Sequence, residues 1–360
     1  MDGLYIYHDF FLGLESVWDR LKNCGKPIYM YGGGNGGEKI LRACNENGIC
    51  ISGIFASDDF SADKSFWGYK VKRLSEIESE AKDLVVVLAF GTDIPEVMER
   101  IDRIGKKHEL FAPDVSVAGT ERFEKKYFME NFRKAAEAYS LLSDSASREV
   151  FVDLTAYKIT GRLEYLRKAF STPDESERLL MLGENEIYCD LGAYNGDTVR
   201  QFAERTGGRY KKIYAVEPEK RNFQKCVKSC LGFENISFYN AAAWSADGEM
   251  LFEGGSGRQA RLGSNGRKIP VRSLDSILGG EECTYIKYDV EGADIPSLDG
   301  SAFSISGYAP KICCAVYHRC YDYIKIPLHI NRLRSGYKFY MRQYPYYPAW
   351  ETNIFCISGK

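Results

Sequence analysis

The segment EIYCDLGAYNGDTVRQF, residues 186–202, combines an apolar strand, a glycine-rich turn and the start of a helix. Asp190 ends the strand, and Gly192 and Gly196 let the backbone approach a ligand closely. A further acidic residue, Glu217, ends the next apolar stretch. Strand, turn, helix and downstream acid are typical of a nucleotide-type site in a doubly wound α/β sheet. The sequence therefore predicts an α/β fold with a cofactor site at the carboxyl edge of its sheet.

A second glycine-rich turn occurs in the other half of the chain, in PIYMYGGGNGGEKIL, residues 27–41. It matches the G-x-G-x-x-G fingerprint, with an acidic pair in the ribose-binding position beyond it. The residues concerned are Gly32, Gly34, Gly37, Asp58 and Asp59. The pattern predicts a second Rossmann-like unit, whose loop either binds a nucleotide or serves only as part of a docking scaffold.

Alternating strand-like and helical segments divide the chain into three parts. Residues 1–113 predict a small Rossmann-like domain, residues 114–180 a helical connector, and residues 181–360 the main domain. Strands are predicted in the main domain at 186–191, 212–216, 236–242, 285–290, 311–317, 337–343 and 353–358. The last two are separated by a turn-rich stretch and should form an antiparallel hairpin. This set is typical of the seven-stranded class I methyltransferase fold.

Charge and hydropathy exclude several partners. The chain has 360 residues, 48 Lys and Arg against 50 Asp and Glu, and a net charge of -2. Without a dense basic run, nucleic acid is not expected as a partner. No apolar stretch reaches the roughly 18 residues of a membrane span, and the acidic, aromatic N-terminus predicts an unexported, cytoplasmic protein.

The cysteines indicate a reducing compartment and no metal centre. There are 11 of them, an odd number, and several lie inside apolar strand-like runs. No C-x-x-C pair exists and only 4 His residues are present. We therefore expect no structural metal. Whether the chain forms a homo-oligomer is left open.

The spacing of the second turn favours one type of cofactor. Its Gly-x-x-x-Gly pattern differs from the pyrophosphate fingerprint and suits a ligand without phosphate, such as S-adenosylmethionine. In this interpretation Asp190 helps to hold the cationic end of the ligand, and Glu217 accepts hydrogen bonds from both ribose hydroxyls.

From about residue 140 onward, the chain resembles the FkbM-type methyltransferases. The resemblance rests on the ordered motifs DLGAYNGDT at 190, AVEPE at 215, NAAAW at 240, VRSLDSI at 271, IKYDVEGAD at 286, VYH at 316 and GYKFY at 336. It implies methyl transfer from S-adenosylmethionine to a hydroxyl of a sugar-containing or polyketide-like small molecule. Departures are Tyr194, where the family often has a smaller residue, and Asp294, where Glu is common.

The motifs and the resemblance together give a set of expected cofactor contacts: Asp190, Gly192, Ala193, Tyr194, Asn195, Gly196, Thr198, Glu217, Pro218, Asn240 and Ala241. For catalysis, His318 follows the apolar run KICCAVY and is placed to take a proton from the acceptor, unless it merely caps that strand. Asp289 and Glu291 either position donor and acceptor, hold a divalent ion, or bond nearby loop amides.

Two other segments leave alternatives open. Tyr344, Tyr346, Tyr347 and Trp350 either stack on a sugar ring or pack the closing hairpin. The segment GGSGRQARLGSNGRK, residues 254–268, is either a lid or a plain hairpin.

Competing functions are an oxidoreductase or nucleotide-sugar enzyme that works through the first glycine loop, and a non-catalytic binding module.

Overall fold

A computed structural model describes residues 3–58, 65–253, 261–262 and 266–359. Asp59 and residues 254–260 and 263–265 of the glycine-rich segment lie outside the described residues.

Strands and helices alternate in the N-terminal half. After a 3-10 turn at Leu4–Tyr7, its elements are α1 (His8–Gly13), α2 (Val17–Asn23), β1 (Ile28–Tyr31), α3 (Asn35–Glu46), β2 (Gly53–Ala56), β3 (Ser65–Phe66), β4 (Tyr69–Arg73), α4 (Leu74–Glu80), β5 (Val85–Leu88), α5 (Pro95–Lys107) and β6 (Glu109–Phe111). The described strands form one sheet in the order β3-β4-β2-β1-β5-β6, parallel except for β3. Every residue of β1 and β5 is buried, as their uninterrupted apolar sequences require.

Two details of this half differ from the sequence prediction. The apolar spacing from Phe11 to Asn23 predicts one helix, but the structure has two, because α1 ends at Gly13 and Ser16 caps α2 by accepting a hydrogen bond from the Trp18 amide. The hairpin of β3 and β4 was not predicted. Its sequence is charged and lies at the edge of the sheet, where burial does not impose an apolar pattern.

The segment predicted as a connector contains five helices among its described residues, and it is part of the core. Its helices are α6 (Lys125–Glu130), α7 (Phe132–Leu141), α8 (Ser145–Thr160), α9 (Leu163–Lys168) and α10 (Glu175–Leu180). The N-terminal end of α8 contacts the C-terminal half of the chain. There, Ser147 of α8 accepts a hydrogen bond from the Met341 amide at 2.9 Å. At its other end, the Tyr157 hydroxyl donates to the carbonyl of Ala112 at 2.8 Å. One hydrophobic cluster therefore includes residues from all three predicted parts.

A buried ion pair joins the last turn of α8 to the segment that follows β6. Lys158 Nζ lies 2.8 Å from Asp114 Oδ2, with side chains 2% and 6% exposed. We expect Lys158→Met to lower the free energy of unfolding by about 3 kcal/mol, because it leaves a carboxylate buried without its partner. Urea denaturation measures this loss. The control is Lys72→Met in the exposed Lys72–Glu80 pair, which should cost less than about 1 kcal/mol. Equal losses in the two variants would contradict the prediction.

The C-terminal half contains the larger sheet. Its elements are β7 (Ile187–Leu191), α11 (Asp197–Arg205), β8 (Lys212–Val216), α12 (Lys220–Ser229), β9 (Ile236–Tyr239), β10 (Ala242–Ala243), β11 (Gly248–Glu253), β12 (Arg261–Leu262), β13 (Arg267–Arg272), α13 (Leu274–Leu278), β14 (Tyr285–Tyr288), α14 (Asp294–Asp299), α15 (Ala302–Tyr308), β15 (Lys311–Ala315), α16 (Asp322–Leu333), β16 (Tyr337–Gln343) and β17 (Thr352–Ser358).

Within the described residues, seven strands follow the order β16-β17-β15-β14-β7-β8-β9. The strands β15, β14, β7, β8 and β9 are parallel, while β17 is antiparallel to both β15 and β16. This confirms the predicted seven-stranded α/β fold with its closing hairpin. The carboxyl ends of β7, β8, β14 and β15 meet at one edge, where the predicted site residues lie.

The strand predicted over residues 236–242 is split. Its first part, β9, belongs to the large sheet, whereas β10 joins β11, β12 and β13 in a smaller sheet. The antiparallel pairing of β11 with β13 gives the insertion a hairpin base, and its glycine-rich tip lies outside the described residues. Among the described helices, none is both long and apolar enough to cross a bilayer.

Candidate active site

The turn between β7 and α11 is pressed against the end of β14. Gly192 has φ +91°, and a Cβ at this position would lie 1.9 Å from the carbonyl oxygen of Asp289. Only glycine fits such a close approach in a left-handed conformation. The amides of Gly192 and Ala193 both donate to the carbonyl of Val216, at 2.9 and 3.0 Å. The turn is therefore fixed between β8 and β14.

Glu217 closes the other side of this turn. It is 6% exposed, and its two carboxylate oxygens accept hydrogen bonds from the amides of Tyr194 and Glu219 at 2.9 and 2.8 Å. Burial raises the pKa of Glu217 to about 7, although these amide bonds lower it. Each carboxylate oxygen has a further lone pair, so the group can still accept two ribose hydroxyls. A nucleoside-type cofactor therefore fits this position.

A cleft of about 690 Å³ runs along the carboxyl edge of the large sheet. Several of the predicted site residues line it: Gly192, Tyr194, Thr198, Glu217, Pro218, Asp289 and Glu291. Others that the sequence analysis did not select also line it: Asp93, Asn222, Ala242, Ala243, Lys287, Tyr317, Glu351 and Asn353. The structure thus brings Glu217, which follows β8, and Asp289 and Glu291, which follow β14, into one cavity.

The remaining predicted contacts lie behind the cleft wall. Ala193 and Ala241 are buried, and Asn195 uses its side chain to cap its own helix by accepting from the Asp197 amide. Gly196 packs against thiols of α12. Asn240 donates to the carbonyl of Glu217 at 2.9 Å, which braces the acid. For the strand after β9, the cleft residues are Ala242 and Ala243, shifted along the chain from the expected pair.

Asp190 has a different environment from the one expected. It is completely buried, and its oxygens bind the Thr198 hydroxyl at 2.5 Å and Lys287 Nζ at 3.3 Å. Its carboxylate is therefore turned to the start of α11 and to β14 rather than to a ligand. This geometry assigns Asp190 to holding the turn in place.

Lys287, on β14, lies between the carboxylates of Asp190 and Asp289. Its ammonium is 3.3 Å from Asp190 and 3.7 Å from Asp289. Burial lowers the pKa of Lys287, but the two carboxylates raise it above its usual value. Lys287 is therefore a fixed positive charge in the wall of the cleft. The sequence contains a signal for this role, because Lys287 interrupts the apolar run YIKY, and a lysine is rarely buried in a strand unless it has a charged partner.

His318 is sandwiched between two carboxylates. Its Nδ1 lies 3.0 Å from Asp294 Oδ2, and its Nε2 lies 3.0 Å from Asp289 Oδ1. It is fully buried, Asp294 is 2% exposed, and the Asp289 side chain is 35% exposed. His318 thus stands behind Asp289 and does not reach the cleft. The expectation that it faces the acceptor directly is corrected: Asp289 is the member of this cluster that faces the cavity.

The charges around His318 fix its protonation. Burial lowers the pKa of His318, but Asp294, Asp289 and Glu291 together raise it well above 6.5. Burial, reinforced by Asp294, raises the pKa of the neighbouring Asp322 to about 7. An imidazolium that donates from both nitrogens holds Asp289 in one orientation.

This arrangement predicts a pH-dependent contribution to stability. Because the pKa of His318 is raised on folding, the native state holds its proton more tightly, and the stabilisation is complete below pH 6.5. This stabilisation is lost as the pH rises from 6.5 through the raised pKa of His318. The difference in unfolding free energy between the wild type and His318→Gln should therefore shrink at alkaline pH, by at most about 1.4 kcal/mol per pH unit. Urea denaturation between pH 6 and 10 measures this; a constant difference would contradict it.

Glu291 stands in a strained turn after β14, with φ +51°. It lines the cleft beside Asp289. Among the described residues, no group of three or more His, Cys, Asp or Glu side chains is arranged to hold a metal ion. The carboxylate of Asp289 contacts His318, Lys287 and Tyr317.

The N-terminal glycine turn is covered in part by side chains of its own half, while Gly33 and Gly34 are exposed. Phe66 lies 3.4 Å from the position of a Cβ on Gly33 and 3.3 Å from one on Gly37. Gly32 and Gly34 have φ of +95° and +94°, and a Cβ on Gly34 would meet no atom within 4 Å. Asp58 accepts a hydrogen bond from the Ser75 amide at the start of α4. A nucleotide at this turn stays a prediction.

The closing hairpin brings the two halves together. Tyr347 is buried and exchanges two backbone hydrogen bonds with Thr92, at 2.7 and 2.9 Å. A Cβ on Gly91 would lie 2.4 Å from the Trp350 ring and 2.9 Å from that of Tyr346. Tyr344 lines the cleft. Packing therefore accounts for Tyr346, Tyr347 and Trp350, and Tyr344 is the member of this aromatic group placed to meet an acceptor.

Comparison with known proteins agrees with this geometry. Residues 190–339 match the family model described as the methyltransferase FkbM domain. The crystal structure of methyltransferase FkbM from Methylobacillus flagellatus KT superposes with a TM-score of 0.71 at 19% identity, covering 98% of each chain. This likeness extends over the N-terminal half and the connector, and it shows a shared fold.

Two other solved structures align with about half of the chain at low TM-scores. An rRNA methylase from Streptococcus thermophilus has a TM-score of 0.36 at 12% identity, over 53% of this chain and 98% of that one. Fibrillarin from Aeropyrum pernix, solved with bound S-adenosyl-L-methionine, has a TM-score of 0.33 at 14% identity, over 49% of this chain and 69% of that one. No curated protein matched the sequence. The motifs and the sheet order agree with this comparison, in which residues 190–339 match the methyltransferase FkbM domain.

Proposed function

We propose that the protein transfers a methyl group from S-adenosylmethionine to a hydroxyl of a carbohydrate or related small molecule. The observation that carries this proposal is the contact between the glycine turn and β14. Because Gly192 packs directly on the backbone of Asp289, the proposed cofactor turn and the cleft-facing carboxylate share one wall of the cavity. A donor held by the turn and an acceptor held near Asp289 would then meet inside the cleft.

The binding residues suit a cofactor without phosphate. Glu217 supplies carboxylate oxygens for the ribose, and Pro218, Asn222, Ala242 and Ala243 line the adjoining part of the cleft, where a base would lie. When bound, S-adenosylmethionine supplies a methyl group already activated by a sulfonium. The protein therefore has to orient the acceptor, exclude water and remove one proton.

Asp289 is the proposed proton acceptor. Its carboxylate is partly exposed to the cleft, and the Tyr317 hydroxyl lies 3.3 Å from Oδ1. As the acceptor oxygen bonds to the methyl carbon, its proton passes to Asp289, and the C–S electron pair remains on sulfur. Lys287 and His318 hold the carboxylate in place, so both are positioning residues. A positioned base of this type contributes typically about 10²–10⁴-fold to the rate.

The experiment that tests the proposal is product analysis. The protein is incubated with methyl-labelled S-adenosylmethionine and pools of small hydroxylated metabolites, and labelled products are examined by NMR. A methyl signal on an ether oxygen supports the proposal. A product methylated on nitrogen or carbon would refute the assignment to oxygen while leaving the methyltransferase itself intact.

We further propose that the N-terminal half supports the acceptor side of the cleft rather than acting on a nucleotide of its own. Phe66 covers part of the first glycine turn, and Lys39 of α3 donates to the carbonyls of Ser116 and Val117. The next residue, Ala118, donates to the carbonyl of His318 at 2.9 Å.

All 11 cysteines are free thiols, which favours a reducing compartment such as the cytoplasm.

A further inference from the structure

One carboxylate of the N-terminal half reaches the methyl-transfer cleft. Asp93 lies between β5 and α5 and lines the cavity together with Glu217 and Asp289 of the other half. Its position is fixed, since the preceding Thr92 exchanges two backbone hydrogen bonds with Tyr347. Gly91 packs so closely on Trp350 that a Cβ would collide with the ring. Asp93 is therefore held at the cleft by the contact between the two halves.

The side chain of Asp93 differs from the other acids of the cleft in having no partner. It is exposed, and no hydrogen bond or ion pair joins it to any other described residue. By contrast, Glu217 accepts from two backbone amides, and Asp289 contacts His318 and Lys287. No internal contact among the described residues thus accounts for the carboxylate of Asp93.

The charges of the cleft disfavour an anionic acceptor. Among its described lining residues, six are acidic and two are basic: Asp93, Asp197, Glu217, Asp289, Glu291 and Glu351 against Arg205 and Lys287. Both basic groups already have carboxylate partners, Glu177 for Arg205 at 3.2 Å and Asp190 for Lys287 at 3.3 Å. A cleft lined by one sign of charge attracts ligands of the opposite sign and repels those of its own. A phosphate on the acceptor would meet this negative field.

We propose that Asp93 binds a protonated amine of the acceptor, so that the acceptor is a hydroxylated amine, such as an amino sugar, without phosphate. This inference rests on the proposed function, because it assumes that the cleft holds the cofactor as well as the acceptor. Asp93 is then a specificity-determining residue that the N-terminal half contributes to the active site. It also gives that half a role that needs no nucleotide at its glycine turn.

The experiment measures binding of matched sugars to the full chain saturated with S-adenosylhomocysteine. Glucosamine, galactosamine and mannosamine are each compared with their N-acetyl and 6-phosphate forms by calorimetry. The free amines should bind at least about tenfold more tightly than the N-acetyl forms, because only an amine pairs with the carboxylate, and more tightly than the 6-phosphates, because the phosphate meets the acidic lining of the cleft. Asp93→Asn should abolish the preference over the N-acetyl forms, and Asp93→Lys should bind the 6-phosphates more tightly than the wild type does. Glu96→Gln, an exposed acid of α5 outside the cleft, is the matched control and should change nothing.

Three outcomes overturn the inference: tighter binding of the N-acetyl or phosphate forms to the wild type, no binding of any free amine, or a loss of S-adenosylhomocysteine affinity in Asp93→Asn. The last would place Asp93 at the cofactor. Failure of the proposed function is separate, since it shows as an absence of S-adenosylhomocysteine binding to the wild type. The amine comparison is then made on the protein without cofactor.

Discussion

Asp289→Asn is expected to lower kcat by at least about 100-fold, because the carboxamide is nearly the same shape as the carboxylate but cannot take the acceptor proton. Affinity for S-adenosylhomocysteine should change little, since the side chain of Asp289 faces the acceptor end of the cleft and the glycine turn contacts only its backbone. Initial rates are measured with the acceptor found by product analysis, and affinity by calorimetry.

The matched control is Glu291→Gln, two residues further along the same cleft wall. If Asp289 is the base, this variant should retain most of the turnover. If Glu291→Gln loses the larger factor and Asp289→Asn stays active, the two carboxylates have the opposite roles. His318→Gln should lie between them, since it loosens Asp289 without removing the proton acceptor, and its rate should show a different pH dependence from that of the wild type.

Gly192→Ala is expected to abolish cofactor binding, with a loss of affinity of at least about 100-fold. Its Cβ would lie 1.9 Å from the carbonyl oxygen of Asp289, so the turn has to move away from β14. Because backbone atoms form the obstacle, no side-chain rotation relieves the overlap. Calorimetric titration with S-adenosylhomocysteine measures the loss.

Gly279→Ala is the control, because it places an alanine in a left-handed backbone conformation without any overlap with neighbouring atoms. Gly279 has φ +58°, and a Cβ there would meet nothing within 4 Å. Both variants should lose about 1–2 kcal/mol of stability from the backbone conformation, but Gly279→Ala should retain cofactor affinity. Equal affinities in the two variants would show that the position of the turn against β14 does not matter for binding.

The features predicted correctly from the sequence are those set by local pattern. The glycine turns follow apolar strands, and the sequence RQYPYYPAWET between the last two strands lacks a helical period, so the hairpin of β16 and β17 was recognisable. Edge strands carry less information. The segment YKVKR of β4 alternates apolar and polar residues over only four positions, and none of its residues is buried, so its pattern is a weak strand signal.

Roles at the site were harder to predict than positions. The sequence places His318 and Asp190 at strand ends, but it does not show that both are completely buried and bonded to other side chains. Whether a polar side chain at a strand end faces a ligand or a neighbour depends on tertiary packing. Asp93 had no local signal, because it reaches the cleft only through the contact of two segments more than two hundred residues apart in sequence.

We propose that the second glycine turn and Glu217 form the cofactor site of a methyltransferase. Calorimetric titration with S-adenosylhomocysteine, and in parallel with NADH, tests it most directly in the wild type, Glu217→Gln and Gly34→Ala. Unfolding curves check that each variant is folded. The account predicts micromolar binding of S-adenosylhomocysteine that is strongly weakened in Glu217→Gln and unchanged in Gly34→Ala. Binding of NADH alone, lost in Gly34→Ala, would contradict it and move the active site to the N-terminal turn.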